Sequence, residues 1–73
     1  MKASQLQSGE NARILSITEG PHARRLAEMG CVPGSTIKMA YAAPAGDPIA
    51  FEMDGNLLGL RKEEADYLEV EMM

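Results

Sequence analysis

The sequence predicts a mainly β fold: a small β-barrel of about five short strands, with one short α-helix after the first strand and a short helical turn before the last. Three observations predict it. The chain has 73 residues, of which 45% are apolar, so it holds material for one small core and one domain over residues 1–73. Glycine and proline recur at short intervals along the chain. Between them, apolar and polar residues alternate with the period of a half-buried strand.

The first predicted strand covers residues 13–18, a stretch that is rich in β-branched residues and apolar on both alternating faces. This pattern is typical of a strand enclosed on both sides, by a tight barrel or by a covering helix. Gly20 and Pro21 end the strand, and proline is favoured in the first turn of a helix. The predicted helix follows over residues 22–29, where small and large apolar residues fall at the i, i+3, i+4 spacing of one helical stripe.

The clearest predicted strand covers residues 36–43, in which apolar and polar side chains alternate. The alternation places Ile37, Met39 and Tyr41 on the face that turns towards the core. A loop follows at residues 44–48, because its two prolines can neither pair in a ladder nor continue a helix.

A predicted hairpin follows this loop. The segment Ile49–Met53 alternates again, with Phe51 on the inward face, and an Asp-Gly pair connects it to a return strand over residues 57–61. Residues 62–67 suit a short helical turn, and residues 68–72 alternate as the last strand. Five strands of this size leave an exposed edge and an apolar face if the sheet stays flat. We therefore expect an SH3-like barrel, with the helix covering one opening.

The charge balance bears on the class of partner. The chain carries 7 basic and 11 acidic residues, for a net charge of −4. This composition argues against a general nucleic-acid binder, whose affinity depends on neutralising phosphates. An ordinary solubilising surface is the simplest alternative explanation of the charges. The polar start of the chain and the lack of a long apolar run predict a cytoplasmic protein without membrane insertion.

Catalytic and metal-binding groups are scarce. One cysteine, Cys31, and one histidine, His22, are present, which excludes a disulfide framework and a cysteine-rich metal cage. We expect Cys31 to be buried and structural and His22 to be exposed. Five carboxylates near the end of the chain suit either a hard-metal site or a solvated acidic face, and the face is the simpler explanation: Glu63, Glu64, Asp66, Glu69 and Glu71. We therefore predict a binding module and not an enzyme, with no catalytic residue, cofactor or metal site.

Two motifs are more specific than the composition. Leu-Ala-Glu-Met-Gly-Cys-Val-Pro-Gly occupies residues 26–34, and Ala-Pro-Ala-Gly-Asp-Pro occupies residues 43–48. Together with the Leu-Arg and Glu-Ala pairs within residues 60–65, these motifs closely resemble the FeoA family of ferrous iron transport proteins. The resemblance covers nearly the whole chain.

The resemblance implies a cytoplasmic SH3-like protein that works with FeoB, a membrane transporter carrying a GTP-binding domain, in bacterial uptake of Fe²⁺. It implies an accessory role without catalytic activity. Met29 and Cys31 stand where the family pattern usually has leucine-like residues, and Ala45 replaces a larger apolar residue at the loop tip. The same barrel occurs in iron-dependent repressors of the diphtheria-toxin-repressor type. A metal-sensing or Fe(II)-delivering protein related to that repressor domain is therefore the alternative function.

The predicted partner-binding surface, for docking on the GTPase region of such a transporter, combines the exposed helix face with the proline-rich loop. Its residues are His22, Arg24, Arg25, Pro44, Ala45, Gly46, Asp47 and Pro48. Arginine suits this role because its guanidinium donates two parallel hydrogen bonds to a carboxylate. The competing explanation is that Arg24 only pairs with Glu28, one helical turn away, which is worth about 0.3–0.5 kcal/mol. The sequence leaves the oligomeric state open, a homo-oligomer included.

Overall fold

The computed structural model describes residues 1–73 and contains five strands, two short α-helices and one 3₁₀ turn. In chain order they are the 3₁₀ turn Ala3–Gln5, β1 (Asn11–Ile17), α1 (Ala23–Glu28), β2 (Thr36–Ala42), β3 (Ile49–Met53), β4 (Asn56–Leu60), α2 (Lys62–Ala65) and β5 (Leu68–Met72). The predicted order of strands and helices is confirmed. The 3₁₀ turn is an addition that the sequence pattern did not indicate.

The five strands form one antiparallel sheet in the order β4-β3-β2-β1-β5. β4 and β5 lie at opposite edges and do not pair with each other, so the sheet is not the closed barrel that we expected. The reason lies at the start of the chain. Val70 donates its backbone N–H to the Met1 carbonyl at 2.7 Å, and Lys2 forms an isolated antiparallel bridge with Glu69. Residues 1–2 therefore occupy the edge of β5 that closure would require.

The core collects the inner-face side chains of all five strands, together with Leu26 of α1 and Ala65 of α2. Its largest fully buried side chains are Phe51, Ile14, Leu26, Leu60, Leu68, Val70 and Cys31. The predicted burial of Phe51 and Cys31 is confirmed. Burying an apolar side chain of this size stabilises the fold by about 1.5–3 kcal/mol.

β1 is buried on one face only, which corrects the expectation that both faces are enclosed. Ala12 and Ile14 are fully buried, whereas Leu15 is 45% exposed. The outer face of β1 is not covered by a helix or a second layer, so Arg13 and Leu15 are exposed there. The pairing of β1 with β5 also shifts register between Ile14 and Ser16, next to Leu15.

Tyr41 points outward, although the alternation of β2 predicts that it lies in the core. Ile37 and Met39 are buried as predicted, but Tyr41 is 59% exposed. The register between β2 and β3 shifts between Met39 and Tyr41, so one extra residue enters the strand there. An extra residue in a strand reverses the face of every residue that follows it.

The Asp-Gly hairpin turn has the backbone conformation that the sequence predicts. Asp54 and Gly55 have φ values of 52° and 80°, the left-handed conformation required at both central positions of a tight type I′ turn. β3 and β4 consequently pair in continuous register from Ile49 opposite Leu60 to Met53 opposite Asn56. This register positions α2, which begins two residues after β4 ends.

Candidate docking surface

A buried carboxylate, that of Glu64 in α2, joins the two helices. Only 3% of Glu64 is exposed. Its Oε1 accepts the backbone N–H of Arg61 at 2.9 Å, and its Oε2 accepts Nη1 of Arg25 in α1 at 2.5 Å. Glu64 therefore is not part of the solvated acidic face that the sequence suggested. It holds the beginning of α2 and ties α1 to it.

Asp47 connects the 44–48 loop to the same short helix. Its Oδ1 accepts the backbone N–H of Lys62, the first residue of α2, at 2.8 Å. Its Oδ2 lies 3.3 Å from Nη2 of Arg61. A side-chain oxygen that accepts an otherwise unpaired N–H in the first turn of a helix stabilises that helix. The loop is therefore anchored by Asp47, while Pro44, Ala45, Gly46 and Pro48 are exposed.

His22 lies at the start of α1 and is half-buried, whereas we expected it to be exposed. Its ring contacts Tyr67 edge to face, with 5.1 Å between ring centroids, and its Nε2 lies 3.7 Å from Oε1 of Glu63. The nearby Gly20 is also needed for this packing, because a Cβ there would lie 2.6 Å from Cε2 of Tyr67. His22 thus helps to hold the start of α1 against Tyr67.

The two arginines of α1 differ in their surroundings. The side chain of Arg24 is 91% exposed, with its Nε 3.4 Å from Oε2 of Glu28, so the pairing named as the competing explanation is present. The Arg25 side chain is 63% exposed although one of its nitrogens contacts the buried Glu64. Both guanidinium groups therefore keep nitrogens that are free to contact another molecule.

The structure brings the two predicted segments together through residues 61–64. His22, which precedes α1, and Arg25 of α1 contact Glu63 and Glu64, respectively. Asp47 of the loop contacts residues 61 and 62. The sequence pattern did not indicate Arg61 for this surface, although its side chain is 66% exposed beside the loop. We call the combined region the docking surface: His22, Arg24, Arg25, Arg61 and the 44–48 loop.

The carboxylates considered for a metal site each have a different partner. Apart from Glu63 and Glu64, which face α1, Asp66 accepts a hydrogen bond from Ser4, Glu69 contacts the ammonium group of Met1 and Glu71 contacts Arg13. No group of three or more histidine, cysteine or acidic side chains is arranged to hold a metal ion. The acidic residues therefore act as separate structural contacts.

The single thiol is protected by the core. Cys31 is fully buried, and this burial raises the pKa of the thiol above its ordinary value. A raised pKa keeps the group protonated at neutral pH, where it packs as a small apolar residue.

Neither α1 nor α2 has the length and apolar character that a membrane-crossing helix requires.

Comparison with known proteins identifies relatives over the whole chain. The model of the FeoA domain family matches residues 1–72. The chain is 35% identical over 74 residues to a fusion protein of Fe(2+) transport protein A and Fe(2+) transporter FeoB from Porphyromonas gingivalis. The match covers 100% of this chain but 9% of that relative, so the chain spans a small part of the relative's length.

Solved structures show the same fold. The FeoA protein of Chlorobium tepidum has a TM-score of 0.89 at 38% identity, with 100% of this chain and 70% of that chain covered. The FeoA protein of Stenotrophomonas maltophilia, described as a procaryotic SH3 domain protein and complexed with zinc, has a TM-score of 0.86 at 29% identity, with coverage of 97% and 89%. The IdeR protein of T. acidophilum has a TM-score of 0.87 at 23% identity, with 100% of this chain and 34% of that chain covered, which shows a shared fold alone.

Proposed function

Because the chain belongs to the FeoA domain family, we propose that it is a non-enzymatic accessory module of ferrous iron transport that docks on the cytosolic GTPase region of an FeoB-type membrane transporter. One observation carries this proposal. In the Porphyromonas gingivalis relative, a part similar to this chain and an FeoB transporter belong to one polypeptide. Fusion keeps two modules at a high effective concentration, which supports contact between the corresponding separate proteins.

The docking surface is the region that we propose for this contact. Arg24, Arg25 and Arg61 all have side chains that are more than half exposed, and each uses one side-chain nitrogen in its own ion pair. The remaining N–H groups suit carboxylates of a partner, with which arginine forms directional, charge-assisted hydrogen bonds. Glu64 holds Arg25 and Asp47 holds Arg61 in place before binding, so these two side chains lose less entropy on association.

The alternative function, a metal-sensing or Fe(II)-delivering protein, has weaker support in this chain. It requires several oxygen, nitrogen or sulfur ligands that converge on one ion. The acidic residues near the end of the chain instead contact Arg25, Ser4, the Met1 ammonium group and Arg13. In this proposal Fe²⁺ is therefore the cargo of the transporter.

Calorimetric titration of the chain into the purified GTPase region of the FeoB protein from the same organism tests the proposal. We expect Arg24→Glu and Arg61→Glu each to weaken binding about 3- to 10-fold at low salt, and by less at about 0.3 M salt, where exposed charges are screened. Arg13→Glu is the matched control, because it makes the same charge change on β1, where Arg13 pairs with Glu71.

Two outcomes would contradict the proposal at different levels. If Arg13→Glu weakens binding as much as Arg24→Glu, the docking surface is assigned wrongly but the partner stands. If the unmodified chain shows no heat of binding at about 1 mM, which corresponds to a free energy weaker than about −4 kcal/mol, the proposed partner is wrong.

A further inference from the structure

The two edges of the sheet are not equivalent. β5 is covered by residues 1–2 and carries two acidic side chains, Glu69 and Glu71. β4, at the other edge, contains no charged residue and no proline, and its pairing with β3 has no bulge. No backbone hydrogen bond joins β4 to any segment other than β3. β4 therefore has no charge, proline, bulge or paired covering segment to protect it as an edge strand.

We propose that β4 pairs with β4 of a second copy of this chain, antiparallel, about a two-fold axis that passes beside Leu58. Such a contact joins two sheets through main-chain hydrogen bonds, as an added strand does in peptide recognition. An interface on a two-fold axis must be self-complementary, because the same residues contribute from both copies. The sequence of β4 and its flanks meets that condition in shape and in charge.

Leu57 and Gly59 are complementary in shape, and both lie on the outer face of the sheet. In the proposed register, Leu57 of each copy stands opposite Gly59 of the other. Leu57 is 59% exposed, and a Cβ built at Gly59 would meet no atom within 4 Å. Each exposed leucine thus faces an empty position, next to Ala50, the residue that Gly59 pairs with in β3.

Asp54 and Lys62 carry opposite charges and flank β4 on either side. The same register brings Asp54 of each copy to the end of the strand where Lys62 of the other copy lies. Neither side chain has an ion-pair partner within its own chain. Opposite charges that meet across an interface are favourable, and like charges are unfavourable.

Registers shifted by one residue lose both the shape match and the charge match. Moving the two-fold axis to residue 57 sets Leu57 against itself and places Asp54 opposite the apolar Leu60. Moving it to Gly59 sets Leu57 against Arg61. The register centred on Leu58 is the one in which shape and charge agree. With five residues on each side, the interface is small, so we expect a dissociation constant between about 10 µM and 1 mM.

Sedimentation velocity and NMR dilution of the full chain test this pairing together. Between about 10 µM and 1 mM, the sedimentation coefficient should rise towards that of a dimer. Over the same range, the amide resonances of residues 56–60 should shift, whereas those of β5 should not. A sedimentation coefficient that stays at the monomer value over this range would overturn the proposal, as would shifts centred on β5.

Leu57→Lys tests the apolar contact, with Leu15→Lys as its control. A lysine on an exposed edge strand opposes pairing. We expect Leu57→Lys to weaken the dimer at least about 10-fold, which corresponds to 1.4 kcal/mol, and Leu15→Lys to change it by less than about twofold, because β1 is a central strand. Thermal unfolding at low concentration checks that both variants fold. Equal effects of the two lysines would contradict an edge contact at β4.

Lys62→Glu tests the register, with Lys38→Glu as its control for total charge. Lys62→Glu should weaken the dimer about 5-fold, because it sets two acidic side chains together. Adding Asp54→Asn should restore the association to within about twofold, since asparagine tolerates the left-handed backbone at that position. Lys38→Glu should have less than half of the effect. Failure of Asp54→Asn to restore association would overturn the register centred on Leu58.

Discussion

Replacing Glu64 by glutamine tests whether its buried carboxylate holds α1 and α2 together. Glutamine keeps the size of the side chain and one carbonyl oxygen, so the bond from the Arg61 backbone N–H can persist. The charge that faces Nη1 of Arg25 at 2.5 Å is lost. A hydrogen bond to a charged group is worth about 1.5–3 kcal/mol when buried. The Arg25 side chain is 63% exposed, so solvent screening lowers the expected cost of Glu64→Gln to about 1–2 kcal/mol.

Urea unfolding of Glu64→Gln, Arg25→Gln and the double variant isolates this pair. We expect the double variant to cost less than the two single variants together, with a coupling of at least about 0.5 kcal/mol. Thermal unfolding should show Glu64→Gln lowering Tm by roughly 4–8 °C for each kcal/mol lost.

Arg24→Gln is the matched control for this experiment. It removes a charge from the same helix, but its pair with Glu28 has side chains that are 91% and 64% exposed. Such a pair is worth less than about 0.5 kcal/mol. If Glu64→Gln costs no more than Arg24→Gln, or if the coupling is zero, Glu64 does not tie the helices together.

Three further predictions concern other contacts. The Met1 ammonium group lowers the pKa of Glu69 from its ordinary value of 4.5, so this contact stabilises the fold above pH 4.5 and is lost as the pH falls through the lowered pKa. Glu69→Gln should therefore weaken the dependence of stability on pH in the acid range. Stability curves of the variant and the unmodified chain that run parallel in that range would contradict this. Gly20→Ala should lower the free energy of unfolding in urea by about 1–3 kcal/mol, because its Cβ would lie 2.6 Å from Tyr67. An unchanged free energy of unfolding would show that the Tyr67 ring moves freely. Asp47→Ala should cost about 0.5–2 kcal/mol and speed hydrogen exchange in the first turn of α2, and unchanged exchange would refute its capping role.

Local sequence rules predicted the elements that depend on neighbouring residues. The Asp-Gly hairpin, α1 and the span Ile49–Met53 all follow from turn chemistry or from alternation within a few residues. The prediction that Tyr41 faces the core was wrong for a reason that the alternation pattern cannot show. An extra residue in β2 changes the face of Tyr41, and its presence depends on the pairing with β3.

The prediction of a closed barrel was also wrong, because closure depends on contacts between distant parts of the chain. Alternation identifies a strand but does not say what covers its edge. Here residues 1–2 reach the edge of β5, through the backbone bond from Val70 to Met1. The same limitation applied to Leu15, whose apolar character suggested burial although no other segment covers that face of β1.

The arrangement of the residues in the proposed docking surface could be predicted only in part. The sequence placed the exposed arginines on a helix and the prolines in a loop, but it did not show that both segments meet at α2. Glu64 was grouped with the other acidic residues because its partner, Arg25, lies far from it in sequence. A glutamate at the third position of α2 was the available signal, since that position commonly accepts the N–H of the residue that caps the helix.

NMR titration of the isotope-labelled chain with the unlabelled GTPase region of the FeoB protein tests the central claim most directly. We expect the amide and arginine side-chain resonances of residues 22–25, 44–48 and 61–64 to shift together and to reach saturation, with smaller shifts when about 0.3 M salt is present. Shifts confined to β1 and β5, or no shift at saturating concentrations of the GTPase region, would contradict the proposed docking surface.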